Sequence, residues 1–208
     1  MSSRSGGACS ARRLAALAIV FLVGLVAACE FPFGLRDSEL PSGTSTRILE
    51  ATEPINVKIN INRCINNRDA MSYESQIAED FVFAADPRDS AYLEQTYPGI
   101  FAGWGAEVER DVMEYMLDNG RCSVSSLALG DSTIVEEGST EYSITYKYDL
   151  SLVLSGEFLY YKGEARFYMR KESSDNLWRL SRWEDSRLQD SERDTWGILR
   201  GVLRDKTK

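Results

Sequence analysis

From Tyr142 to Leu154 apolar and polar residues alternate. Tyr142, Ile144, Tyr146, Tyr148, Leu150, Leu152 and Leu154 fall on one side, and Ser143, Thr145, Lys147, Asp149 and Ser151 on the other. Successive side chains of an extended chain point to opposite faces, so this period of two predicts a strand with one dry and one wet face. After Ser155-Gly156 the phase restarts, with Tyr161, Gly163, Ala165, Phe167 and Met169 opposing Lys162, Glu164, Arg166 and Arg170. That is a second strand returning along the first. The turn-forming run Glu172 to Asn176 leads into Leu177 to Asp185, which carries Trp178, Leu180 and Trp183 back across the sheet. Three long antiparallel strands are predicted, and the segments before them read as helical cover for the apolar face.

Between Glu53 and Asn67 the residues Val57, Ile61, Cys64 and Ile65 form a helical stripe, and Pro54 suits a first helical turn. A second short helix starts at Arg68-Asp69-Ala70 with Tyr73 and Ile77 inward, followed by a short strand, Asp80-Phe81-Val82-Phe83, closed by Asp86-Pro87. From Asp89 to Gly103 the aromatic residues Tyr92, Tyr97 and Phe101 show no period, which reads as a loop that lids or lines something. Val108, Val112, Tyr115 and Met116 give a helix with one buried face, stopped by Asn119-Gly120. Ser123 to Leu129 is a strand, Gly130-Asp131 a turn into Thr133 to Glu136, and Thr195 to Arg204 a packed turn or short helix.

The first 28 residues read as a processing signal: Arg4, Arg12 and Arg13 precede an apolar run from Leu14 to Ala28 that is too short for a membrane span. The run ends in Leu25-Val26-Ala27-Ala28-Cys29, which resembles the lipobox of bacterial lipoproteins, in which the cysteine is acylated and becomes the first mature residue. The resemblance implies lipidation at Cys29, attachment to a membrane through the acyl chains, and a place in the bacterial cell envelope. Glu30 after the cysteine leans towards the outer membrane in a diderm cell. Residues 29–51 then read as a flexible tether with a reach of roughly 25 Å, and residues 52–208 as one α+β domain.

Charge narrows the partners. The formal net charge is −8, and removing a signal that holds three arginines and no acids leaves −11. Nucleic acid is excluded, because phosphate binding needs a basic stripe. The chain has no histidine, which removes the usual triads and the commonest metal ligand, so neither metal nor cofactor is expected. With Cys9 in the signal and Cys29 acylated, Cys64 and Cys122 remain as a candidate disulfide worth about 4 kcal/mol by chain entropy, or as two buried thiols.

The order of helix, short helix, Asp80-Phe81-Val82-Phe83, helix and long strands, with Asn66-Asn67-Arg68-Asp69-Ala70, Tyr161-Lys162-Gly163, Leu177-Trp178-Arg179-Leu180 and Trp183-Glu184-Asp185, resembles the nuclear transport factor 2-like superfamily over about residues 52–188. The resemblance implies a cone: a strongly bent antiparallel sheet packed on N-terminal helices, with a pocket at its open end. Family enzymes acting on carbonyl compounds use Asp with Tyr inside the cone, which here would involve Tyr146, Tyr148 and Tyr161 with Asp80 near the mouth. Those tyrosines read more simply as packing residues with one satisfied hydroxyl each. The expected function is a non-catalytic domain that binds a small apolar ligand or a protein partner in a cavity bounded by Tyr97, Phe101, Trp104, Tyr146, Tyr148 and Tyr161. The alternatives are an isomerase, cyclase or dehydratase on a hydrophobic substrate, and a homodimerising unit using the outer sheet face.

Overall fold

The computed structural model describes residues 47–189 and 191–207; the signal, Cys29 and most of the predicted tether lie outside them. Helix α1 (Pro54–Asn67) starts at its proline and buries Val57, Ile61, Cys64 and Ile65. It ends at Arg68, whose left-handed φ of 57° stops the helix and whose guanidinium donates to the Cys122 and Ser123 carbonyls. Asp69 caps the short α2 (Ala70–Glu74) by accepting from the Ser72 N–H. Strand β1 (Ile77–Ala84) follows, so Ile77, expected on the helix, opens a strand instead.

Asp86-Pro87 begins a helix as well as closing that strand. In α3 (Pro87–Glu94) Asp86 accepts from the Arg88 N–H and proline occupies the first turn, so the expected loop is helical in its first half. Helix α4 (Ala106–Leu117) buries Val112, Met113, Met116 and Leu117. Strand β2 (Cys122–Glu137) runs unbroken through Gly130-Asp131. The register against its neighbour shifts there, a bulge rather than the expected turn.

Strands β3 (Glu141–Leu154), β4 (Glu157–Lys171) and β5 (Trp178–Ser186) are the three predicted ones. Ser155 and Gly156 both have positive φ, as a two-residue primed hairpin turn requires. In β5 the inward series Trp178, Leu180, Trp183 skips a position because the register shifts opposite Tyr168/Met169. The sheet order is β1-β5-β4-β3-β2. Neighbours are antiparallel except β1, which lies parallel to β5 and makes the sheet mixed. Helix α5 (Trp196–Thr207) is a full helix that buries Trp196, Leu199, Arg200 and Leu203.

One core holds the inward faces of β2 to β5 together with α1, α4 and α5. Residues 47–51 are fastened to it: Asn60 holds both the N–H and the carbonyl of Leu49, and the Ala51 carbonyl accepts from the Trp178 N–H.

Candidate functional site

Helices α1, α4 and α5 share one core with the inward face of the sheet, and α5 sets Trp196 against Trp183 of β5 and Tyr148 of β3. Arg200 projects from the apolar stripe of that helix and is fully buried, its guanidinium 4.0 Å from the Trp183 ring, 4.3 Å from Trp196 and 4.5 Å from Phe83. Glu109 of α4, also fully buried, accepts from the Arg200 guanidinium at 2.8 Å, from the Tyr73 hydroxyl at 2.7 Å and from the Trp104 indole N–H at 2.9 Å. A desolvated ion pair persists only if geometry and extra hydrogen bonds offset the loss of water. Here one carboxylate takes three donors, and three ring faces meet the cation. Burial alone would lower the Arg200 value, and Glu109, Tyr73 and Asp185 more than offset it.

A second polar cluster seats the start of α5. The Tyr148 hydroxyl donates to Asp185 at 2.8 Å and accepts from the Trp196 N–H at 2.7 Å, while Asp185 also accepts from the Gly197 N–H. Two strand residues thus satisfy donors that the first turn of a helix leaves open, and a carboxylate there also complements the helix dipole. Just upstream Asp89 accepts from both Arg187 and the Thr195 hydroxyl. The seat depends on close approach: a Cβ at Gly163 would stand 2.6 Å from the Tyr148 hydroxyl and 2.7 Å from the Ser186 carbonyl.

Burial pushes the Asp185 carboxyl up from 3.8 to about 6, against the opposing pull of Arg200, Tyr148 and Gly197. A carboxyl raised on folding contributes stability that is fully present below its unfolded value and is lost as the pH rises through its folded value. The stability difference between the native chain and the non-titrating Asp185→Asn variant should therefore shrink between about pH 4 and pH 7. A shift of this size corresponds to about 3 kcal/mol. Urea midpoints of both proteins across that range check it; a difference that stays flat contradicts it.

Of the six expected cavity residues, Trp104, Tyr146 and Tyr148 lie in the main core and Phe101 and Tyr161 pack against it. Trp104 and Phe101 stack at 5.6 Å beside Phe83, whereas Tyr148 packs edge-on to Trp196 and Tyr146 edge-on to Phe167; Arg200 lies between Phe83 and Trp196. Tyr97 and Phe101 both pack against a small cluster of Leu93, Ile100 and Ile198, and Phe101 also packs against the main core. Tyr161 is half-buried at the margin of the main core, and burial pushes both it and Tyr146 up to about 12. Asp80 is not at a mouth but on the exposed surface, paired with Arg170 through two contacts of 2.9 and 3.0 Å. Cys64 and Cys122 are both buried free thiols, so the candidate bridge is not formed.

Sequence reasoning missed Glu109, Asp185 and Arg200. Each left a signal, because each puts a charge at a position where the period calls for an apolar residue: Glu109 before Val112 and Met113, Asp185 two after Trp183, and Arg200 four after Trp196.

No protein-family model matches the chain, and no curated protein matches it by sequence. Solved structures do. One is a candidate aromatic ring hydroxylase from Novosphingobium aromaticivorans, 15% identical over 69% of this chain and 92% of that chain, with a TM-score of 0.51. Another is a nuclear transport factor 2-like protein of unknown function in nutrient uptake from Rhodospirillum rubrum, 13% identical over 65% and 98%, also at 0.51. A third is a candidate scytalone dehydratase from Novosphingobium aromaticivorans, 11% identical over 68% and 89%, again at 0.51. Identities this low speak to architecture alone. The described part of the chain therefore has the nuclear transport factor 2-like fold.

Proposed function

We propose that this chain is an exported lipoprotein, acylated at Cys29, whose domain binds partners or small ligands on its outer surface and performs no chemistry in its cone. The observation that carries the reading is Arg200, which reaches from α5 into the cone and is fully buried against Glu109. Glu109 is engaged by Arg200, Tyr73 and Trp104, and Asp185 by Tyr148, while Arg200 Nε and Nη1 and the indole N–H groups of Trp183 and Trp196 have no partner among the described residues. Support for the anchor comes from the order of basic residues, apolar run, small residues and Cys29 in the sequence. Native mass spectrometry of the mature protein tests the cone: the mass of the chain alone is expected, and a stoichiometric apolar adduct would contradict the reading. For the anchor, Cys29→Ser is expected to abolish incorporation of labelled fatty acid and to release the protein from the membrane fraction. Unchanged labelling would contradict it.

A second reading, an isomerase or dehydratase, is favoured by one observation: Asp185 is raised to about 6 inside the cone and bonded to Tyr148, on a fold shared with a candidate scytalone dehydratase. It requires α5 to leave its seat.

A further inference from the structure

Strand β2 is an edge of the sheet. An edge strand presents a row of unpaired N–H and C=O groups, which folded proteins normally cover or blunt. The first half of β2 is covered by α1. Asn66 accepts from the Leu127 N–H through its side-chain oxygen and donates to the Leu127 carbonyl at 3.2 Å, as the backbone of a neighbouring strand would; Asn62 donates to the same carbonyl at 2.8 Å, and Arg68 covers the Cys122 and Ser123 carbonyls. Beyond Leu127 this cover ends. Among the described residues, the main-chain groups from Leu129 to Glu137 make no hydrogen bond outside the β2–β3 ladder, and every residue from Gly130 to Glu137 is exposed.

The side chains of this open stretch decide what fits it. Ile134 is 53% and Val135 50% exposed, apolar surface that pairing would remove from water. Asp131, Glu136 and Glu137 flank them, and no lysine or arginine occurs between Arg121 and Lys147. Lysine is a common guard of an open edge, and here it is missing. On the outer face Arg170 is held by Asp80 and Glu172, and Arg182 by Glu184. A second copy of the same edge fits poorly: antiparallel pairing of two such stretches would set Asp131 of each beside Glu136 and Glu137 of the other, and like charges across strands destabilise. The bulges at Asp131 and Val135 add local twist, which a segment not already built into a sheet can follow.

We infer that β2 from Leu129 to Glu137 is a docking edge for an extended segment of a partner protein, basic and rich in β-branched residues, which adds to the sheet as a further strand. The inference rests on the proposal that this domain binds partners on its surface, and the test separates the two. Three capped peptides as long as the open stretch are titrated into the mature protein at low salt and followed by amide chemical shifts and hydrogen exchange. One alternates lysine and valine, one alternates glutamate and valine, and the third is the lysine–valine peptide N-methylated throughout, which keeps the charge and loses every N–H. Saturable shifts and slowed exchange confined to Leu129 to Glu137 are expected with the unmethylated lysine–valine peptide alone. Affinity should fall about tenfold in Asp131→Asn/Glu136→Gln/Glu137→Gln, the sum of three cross-strand charge pairs, and stay unchanged in Asp111→Asn/Glu114→Gln on α4. The docking edge is overturned by the absence of saturation, or by equal binding of the N-methylated peptide, which would mean diffuse attraction to an acidic chain. Slow exchange at these amides before any peptide is added would also overturn it, because the edge would already be covered. Saturable shifts gathered around Tyr168 on the outer face would overturn the docking edge alone, whereas shifts around Trp104, Tyr148 and Trp196 would sink the closed-cone reading as well.

Discussion

Replacing Glu109 with leucine is expected to destabilise the domain by about 3–5 kcal/mol, the range for removing one partner of a buried ion pair. The variant leaves the Arg200 guanidinium buried without its counterion and takes the acceptor from the Tyr73 hydroxyl and the Trp104 indole N–H. Against a typical domain stability of about 5–15 kcal/mol this is a large fraction, and for a domain of this size it lowers the midpoint temperature by roughly 10 °C or more. The double variant Glu109→Leu/Arg200→Met removes both charges and keeps a side chain among the rings of Phe83, Trp183 and Trp196. It should recover most of the loss. Urea titrations of the native, single and double variants form a mutant cycle, and an interaction energy near zero would mean that the two groups do not act as a pair.

Gly163→Ala is the second substitution with a large expected effect. The added Cβ would meet the Tyr148 hydroxyl and the Ser186 carbonyl at distances no real Cβ tolerates. Ser186 presents backbone that cannot rotate aside, and Tyr148 is held by Asp185 and the Trp196 N–H. Overpacking costs about 1–3 kcal/mol, and displacing the tyrosine adds about 1 kcal/mol for each hydrogen bond lost. With both Tyr148 hydrogen bonds lost, the total should therefore be about 3–5 kcal/mol in urea unfolding, with weakened protection at the start of α5. Gly201→Ala is the informative comparison. Its Cβ would meet Leu93 Cδ1 at 2.4 Å and Phe101 Cζ at 2.9 Å; both are side-chain atoms rather than backbone, so the loss should be smaller. A Gly163→Ala variant as stable as the native chain would contradict the account of how α5 is seated.

These two sites lie where the sequence was least legible. Strands β3 and β4 could be read directly because their period of two is long and uninterrupted, and Ser155-Gly156 offers a turn that only a hairpin uses. Helix α3 was hidden because Asp86-Pro87 serves both to end a strand and to cap a helix, and the residues after it carry aromatics on no regular face. Gly130-Asp131 looks like a turn, yet pairing with β3 continues past it and absorbs Asp131, at φ 37°, as a bulge. Ion-pair partners are harder still. Glu109 and Arg200 lie 91 positions apart, and nothing local distinguishes a charge that will be buried with a partner from one on a solvated face. Reading Tyr146 and Tyr148 as the wall of a cavity followed from the alternation, which locates the inward face of the sheet. It could not show that α1 covers Tyr146 and that the start of α5 packs on Tyr148.

Hydrogen exchange of the amides from Leu199 to Leu203 under native conditions tests most directly whether α5 is a permanent part of the core. If it is, these amides open only with global unfolding, so their exchange free energy and its dependence on denaturant should equal those of Leu150 in β3 and Phe167 in β4. Exchange several kcal/mol easier than in those strands, with little dependence on denaturant, would show the helix leaving its seat by local opening, and would contradict a closed cone.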